Sequence, residues 1–220
     1  MSFRSVKRVG VEQPEAQLRL WTESALDECI NAGNLIAGVD EVGRGALFGP
    51  VVAAAVILPA AAVVHLSQAG VTDSKQLSPK QRQLLVQQIY TSAITCKIGV
   101  ASVQEIDRLN ILQASLLAMR RAIKRLQPQP QLCLVDGNQK IPHLAIQQQT
   151  VVQGDCKSIS IAAASIVAKV WRDRLIVRLD TRYPGYDLAT NKGYGTTKHR
   201  QAIHQLGISR QHRRSFSPCR

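Results

Sequence analysis

Two adjacent carboxylates, Asp40 and Glu41, close the strand-like run Leu35 to Val39, and a glycine-flanked arginine, Gly43-Arg44-Gly45, follows at once. Asp136 ends a second apolar run, Leu132 to Val135, and Asp155 stands just ahead of an alanine-rich stretch. Acids at strand ends can meet outside the carboxyl edge of an open sheet, where α/β sites gather. Carboxylates packed that closely repel one another and cannot all stay ionised without a cation. A hard divalent ion with oxygen ligands meets that need, and magnesium uses few carboxylates while keeping most of its waters. The chemistry this suggests is two-ion phosphoryl hydrolysis, one ion lowering the pKa of the attacking water and the other steadying the leaving oxygen. Strand side chains alternate between faces, so Asp40 and Glu41 can share a site only if the strand ends or bends there. Gly43 and Gly45 permit such a bend. Alone, so short a motif reads equally well as a solvated acidic turn.

Other chemistries have little support. No Ser/His/Asp triad is legible, and His65, His143, His199, His204 and His212 lack metal-ligand spacing. The five cysteines include no C-x-x-C pair, which argues for reduced thiols and a cytoplasmic protein. Arg4, Lys7 and Arg8 precede no apolar core, so a secretory signal is not expected. The longest apolar stretch, Val51 to Leu66, is interrupted by Pro59 and too short to span a bilayer. Partners are marked by charge instead: Lys and Arg number 28 against 15 acids, a formal +13. Beyond Asp187 no acid remains, while Lys192, Lys198, Arg200, Arg210, Arg213, Arg214 and Arg220 all follow. A polyanion, nucleic acid before membrane, fits that distribution.

The elements that would position these residues are readable in outline. Leu18 to Ala32 suits a helix behind a loose basic tail, and residues 1–34 stand apart from a catalytic domain over 35–220. Strands are expected at Leu35–Asp40, Pro50–Leu58, Ile94–Ala101, Leu132–Gly137 and Ala145–Val152, the second paired back on the first. Ser78-Pro79-Lys80-Gln81 and Ser102-Val103-Gln104-Glu105 read as capping boxes that open helices. The second helix carries Ile106, Leu109, Leu112, Leu116, Met119 and Ile123 at helical spacing and ends before Pro128. A long helix runs from Ser160 to about Leu179, and a short one follows from Thr197 to Leu206. Strands first, then alternating helix and strand, predict an α/β protein: a mixed five-stranded sheet flanked by helices, with a helical C-terminal part.

Six motifs, in order, carry a resemblance: Asp-Glu-Val-Gly-Arg-Gly; Thr-Asp-Ser-Lys; Val-Asp-Gly; Gly-Asp, followed by Ser-Ile-Ala-Ala-Ala-Ser-Ile-Val-Ala-Lys-Val and Arg-Asp; Asn-Lys-Gly-Tyr-Gly-Thr; and His-Arg-Arg-Ser-Phe. Together they resemble bacterial ribonuclease HII over roughly residues 35 to 217. The resemblance implies a ribonuclease H-like fold and divalent-metal hydrolysis of RNA in RNA–DNA hybrids. It also implies incision 5′ to single ribonucleotides in duplex DNA, leaving 3′-hydroxyl and 5′-phosphate ends. By that resemblance Asp40, Glu41, Asp136 and Asp155 hold two Mn2+ or Mg2+ ions, Gly43, Arg44 and Gly45 read the ribose 2′-hydroxyl, and Tyr194 recognises the ribonucleotide junction. The stretch ahead of the first strand is too short for the extra N-terminal domain of the sister family, ribonuclease HIII.

The remaining contacts have plainer competing explanations. Ser74 and Lys75 resemble a phosphate contact, as do Ser160 and Ser165 near a helix N-terminus, where helix capping is the alternative for Ser160. Lys198, Arg200, Arg213 and Arg214 are expected to follow the duplex backbone, against the alternative of a solvated face. Asp173 is expected in a structural ion pair. The chain is expected to be a monomer, and a clamp-like partner is not readable. Two rivals stand beside the nuclease: a non-catalytic basic nucleic-acid-binding protein, and a DNA-specific metallonuclease of the same fold.

Overall fold

Every residue of β2 (Val51–Ile57) is buried, as happens when both faces of a strand are covered. Val51, Ala53, Ala55 and Ile57 join one apolar core with Ala114, Ala118, Met119, Ala122 and Ile123. Ala54 and Val56 join another with Ala163, Ile166, Val167 and Val170. Alternation along one strand thus yields three layers, helix, sheet and helix. The computed structural model describes residues 35–220; the basic tail, the helix expected over Leu18 to Ala32 and Cys29 lie outside the described residues. Cys96, Cys133, Cys156 and Cys219 are free thiols.

The sheet holds five strands in the order β3-β2-β1-β4-β5. They are β1 (Ile36–Val42), β2, β3 (Thr95–Ala101), β4 (Leu132–Asp136) and β5 (Gln147–Val151). β2 pairs antiparallel with β1 and β3, while β4 pairs parallel with β1 and β5. The expected mixed sheet is therefore present, and β1 and β4, which end in the acids, are central neighbours.

One helical layer holds α1 (Ala60–Gln68), α2 (Pro79–Ser92) and the long α6 (Ile159–Asp180); the other holds α3 (Val103–Leu109) and α4 (Ile111–Lys124). Both capping boxes form, Ser78 with Gln81 and Ser102 with Glu105. One helix is added and one expectation changes. The apolar run after Pro59 contains α1, whose Ala62 and Leu66 are buried. The single helix expected after Ser102 is broken at Asn110, which adopts φ 71° and caps α4 by accepting from the Gln113 N–H at 3.1 Å. Asparagine tolerates that left-handed backbone better than most residues.

At Gly38 the sheet and α6 touch through their backbones: a Cβ there would lie 2.1 Å from the Ser160 carbonyl carbon. Asp40 is two residues further along β1, on the same face. The C-terminal part adds α5 (Gly154–Lys157), α7 (Leu188–Asn191) and α8 (Thr197–Leu206). A third core of Leu47, Phe48, Ile176, Tyr186, Leu188 and Ile203 ties this part to the segment after β1.

Candidate active site

The pairing of β1 with β4 stops at Val39 opposite Val135, and the next residues are Asp40 and Asp136. The strand neither ends at Asp40, as expected, nor bends at Asp40-Glu41, for the ladder with β2 runs on through Val42 opposite Val52. It is the β4 side that ends, and Glu41 shares the opening so created. Asp40, Glu41 and Asp136 each offer a carboxylate oxygen within 4.8 Å of the others. The turn comes at Gly43, with φ 92°.

Asp155 reaches the same place from α5. Its Oδ2 lies 3.4 Å from Lys75 Nζ, and the preceding residue, Gly154, donates its N–H to Asp136 Oδ1 at 2.7 Å. Asp155 is therefore adjacent to the three-carboxylate cluster but outside its tight triangle. Asp173 pairs with Lys169 at 2.9 Å, the structural ion pair expected of it.

Burial and mutual repulsion dominate the electrostatics. Asp40, 5% exposed, has its pKa raised well above the usual carboxylate range by burial, then by Glu41 and Asp136; the Ser165 hydroxyl and the Glu41 N–H draw it back only partly. Burial also raises Glu41, against the pull of Arg44, which donates to Glu41 Oε1 at 3.1 Å. Asp136 is raised by burial and by Asp155, opposed by the Gly154 N–H and Lys75. Burial lowers the Lys75 pKa, but Asp73 and Asp155 outweigh it and the net shift is upward. Three oxygen donors that resist sharing negative charge suit a hard divalent cation, magnesium or manganese. The donor set fits.

A cleft of about 650 Å3 opens over the cluster, lined by Asp40, Glu41, Asp136 and by Gly43, Arg44, Gly45, Ser74, Lys75, Ser165 and Tyr194. Ser74 and Ser165 are buried and their hydroxyls lie 2.8 Å apart, so each already engages the other. Tyr194 is bridged to Ala46, with Lys169 Nζ 5.6 Å and Arg172 Cζ 5.5 Å from its ring centre. Arg82 and Lys169 also line the cleft. Sequence reasoning passed over both; the signal available was a cation one helical turn into α2 and another on the face of α6 that follows Ser165.

The other expected contacts fall outside the cleft walls. Ser160 is not the helix cap, since Ser158 precedes α6, and its backbone is pressed against Gly38. Lys198, Arg200 and Arg214 are exposed, the first two on α8. Arg213 requires correction: it is 0% exposed and cannot follow a duplex backbone. Its guanidinium donates to the carbonyls of Gly49, Arg44 and Gly43 at 3.0, 2.7 and 2.6 Å. Burial, and then the like charge of Arg172, pull its pKa down to about 9, which leaves it charged at neutral pH.

Behind Tyr194 lies a buried histidine pair. Ser209 N–H donates to His212 Nδ1 at 2.9 Å, so His212 carries its proton on Nε2 and gives it to His199 Nε2 at 3.1 Å. His199 Nδ1–H then donates to the Tyr194 carbonyl at 2.9 Å. Burial, then the neighbouring His199, push the His212 pKa down to about 4. Both rings are neutral and packed as part of the scaffold.

This arrangement has known counterparts. The family model described as Ribonuclease HII matches residues 37–219. A ribonuclease HII of Acaryochloris marina is 67% identical over 189 residues, 86% of this chain and 96% of that protein. The solved ribonuclease H2 of Pyrococcus horikoshii superposes with a TM-score of 0.71 at 27% identity, covering 84% of this chain and 95% of the other. A PCNA:RNase HII complex from Archaeoglobus fulgidus contains a chain matched with a TM-score of 0.69 at 27% identity, covering 81% and 93%.

Proposed function

Because the chain belongs to the ribonuclease HII family, endoribonucleases that cleave the RNA strand of RNA–DNA hybrids, we propose that it also incises duplex DNA 5′ to a single embedded ribonucleotide by two-ion catalysis. The products would carry 3′-hydroxyl and 5′-phosphate ends. One observation carries this reading: the carboxylate triangle and Gly43-Arg44-Gly45 line the same cleft. Hydrolysis and sugar sensing would then act at one nucleotide.

Asp40, Glu41 and Asp136 would hold the ions, Asp155 joining from α5, and magnesium and manganese both suit oxygen donors of this kind. When bound, such ions supply Lewis acidity that favours an ionised water and offsets charge on the leaving oxygen. The chain's own part is orientation. Arg44 and the backbone beside it would meet the 2′-hydroxyl, the group that separates RNA from DNA, and Tyr194 would stack on the sugar that follows. Lys75 would meet a phosphate at the cleft mouth, with the buried Ser74 and Ser165 steadying Asp40 beneath it. The exposed Lys198, Arg200 and Arg214 would follow the duplex. The Archaeoglobus fulgidus protein is solved in complex with PCNA, and a comparable clamp-like partner belongs to the same proposal.

The test is a labelled DNA duplex holding one ribonucleotide, incubated with and without magnesium or manganese, with the ends mapped. A single metal-dependent nick 5′ to the ribose is expected. Asp136→Asn should abolish it while hybrid affinity stays within about threefold, since a ligand and not the groove is lost. Equal cutting of all-DNA duplex would instead favour a DNA-specific metallonuclease, and binding without cleavage a basic binding protein.

A further inference from the structure

Two arginines, Arg172 and Arg213, are completely buried, and neither forms an ion pair among the described residues. A buried charge without a counterion must be met by hydrogen bonds, and here backbone carbonyls meet it. Arg213 takes those of Gly43, Arg44 and Gly49. Arg172 takes Pro50 at 3.0 Å, Phe48 at 2.9 Å and Lys192 at 2.9 Å. Five of these six carbonyls belong to the segment 43–50, which leaves β1 and whose first three residues line the cleft; the sixth belongs to the loop that holds Tyr194. Arg172 also lies directly beneath Gly43, where a Cβ would come within 2.2 Å of its Nε.

The carbonyl and N–H of a planar trans peptide point to opposite sides. With the Gly43 and Arg44 carbonyls turned inward onto Arg213, the N–H groups of Arg44 and Gly45 are turned outward. Neither finds a hydrogen-bond partner among the described residues, and both residues are exposed on the cleft wall. Successive unpaired N–H groups make a concave donor site for an oxygen. A solvated loop would let these donors rotate; three bonds to one rigid guanidinium hold them.

We propose that Arg213, backed by Arg172, is a positioning residue for ribose recognition, fixing the Arg44 and Gly45 N–H groups as a paired donor for the sugar oxygen and thereby setting part of the preference for ribose over deoxyribose. The inference rests on the reading of Gly43-Arg44-Gly45 as the sugar sensor and adds the residues that hold it in shape. Lysine at 213 would keep the charge but present its donors from one atom, which cannot serve three carbonyls spread across a guanidinium plane.

The test uses the full chain carrying Asp136→Asn, so that nothing is cut, and measures affinity for a duplex with one ribonucleotide and for its all-DNA twin. The ratio of the two dissociation constants is the readout. Adding Arg213→Lys should lower that ratio roughly tenfold, the order expected from losing one or two hydrogen bonds, with all-DNA affinity changed less than about twofold. In the otherwise unaltered chain, Arg213→Lys should depress kcat/KM on the ribonucleotide substrate, with metal affinity retained. A folded Arg213→Lys protein with an unchanged ratio overturns the proposal and leaves the sugar-sensor reading standing. A ratio near one before either arginine is touched overturns that reading itself. If Arg213→Lys does not fold, Arg172→Lys takes its place with the same expected fall, and failure of both to fold overturns the proposal, since it assigns the pair a local task.

Discussion

Asp136 adds its charge to a cleft in which burial already disfavours ionised carboxylates. It raises the pKa of both Asp40 and Glu41 and is itself raised by burial and Asp155. Its negative charge is unfavourable to the metal-free fold and favourable to the metal-bound one. Asp136→Asn is therefore expected to stabilise the metal-free protein by about 1 kcal/mol, a rise of roughly 2–4 °C in melting temperature, and to remove most of the further rise that magnesium or manganese gives the parent. Thermal melts with chelator and with each ion check this; a variant that responds to the ions as the parent does would remove Asp136 from the metal set. At this scale the sequence was most legible where chemistry is local. Two carboxylates beside glycines, and a third ending an apolar run, announce themselves. Arg213 does not. Set in a basic stretch it reads as surface, because the three carbonyls that bury it lie more than 160 positions away, 170 for Gly43.

Elements were legible in proportion to how local their causes are. The capping boxes at Ser78 and Ser102 involve four residues each and form as read. α1 was missed because an unbroken alanine and valine run has no helical period to detect. The break at Asn110 was missed because neither glycine nor proline marks it. The histidine pair that fastens α8 to the turn before Arg213 was invisible, since neither ring has a partner within metal-ligand spacing. That pair has a pH consequence. His212 has a folded pKa near 4 against about 6.5 unfolded, so between those values the unfolded chain binds more protons and stability rises with pH. The contribution is complete above about 6.5, is lost progressively as pH falls from there toward 4, and is gone below 4. Comparing urea unfolding of wild type and His212→Asn, the wild type should lose about 2 kcal/mol more than the variant between pH 7 and pH 5. The comparison is necessary because the raised carboxylates Asp40, Glu41 and Asp136 act on stability in the opposite sense as pH falls. Equal slopes in both proteins would show that His212 is not held neutral.

For the whole molecule, charge is what the sequence announced and the fold distributes. The cleft continues through Arg82 and Lys169 into a second groove of about 560 Å3, whose walls include Arg174, Arg178 and Lys192. Further cations stand exposed on and beyond α8. Binding to hybrid is therefore expected to fall with salt, and Lys198→Ala should reduce the log–log slope by about 0.9, one released counterion, without altering where the nick falls. An unchanged slope in filter-binding titrations would remove α8 from the duplex path. Among the described residues no helix is long and apolar enough to cross a membrane.

The interior guanidiniums described above also bear on descent. At 198 and 214 a lineage can drift between lysine and arginine, because an exposed side chain in solvent registers little beyond the charge. At 172 and 213 the same single-step exchange strips a loop of its anchors, and Gly43 cannot acquire a side chain while Arg172 lies beneath it. Those three positions are tied to one another and should be inherited as a block, whatever happens to the basic surface around them.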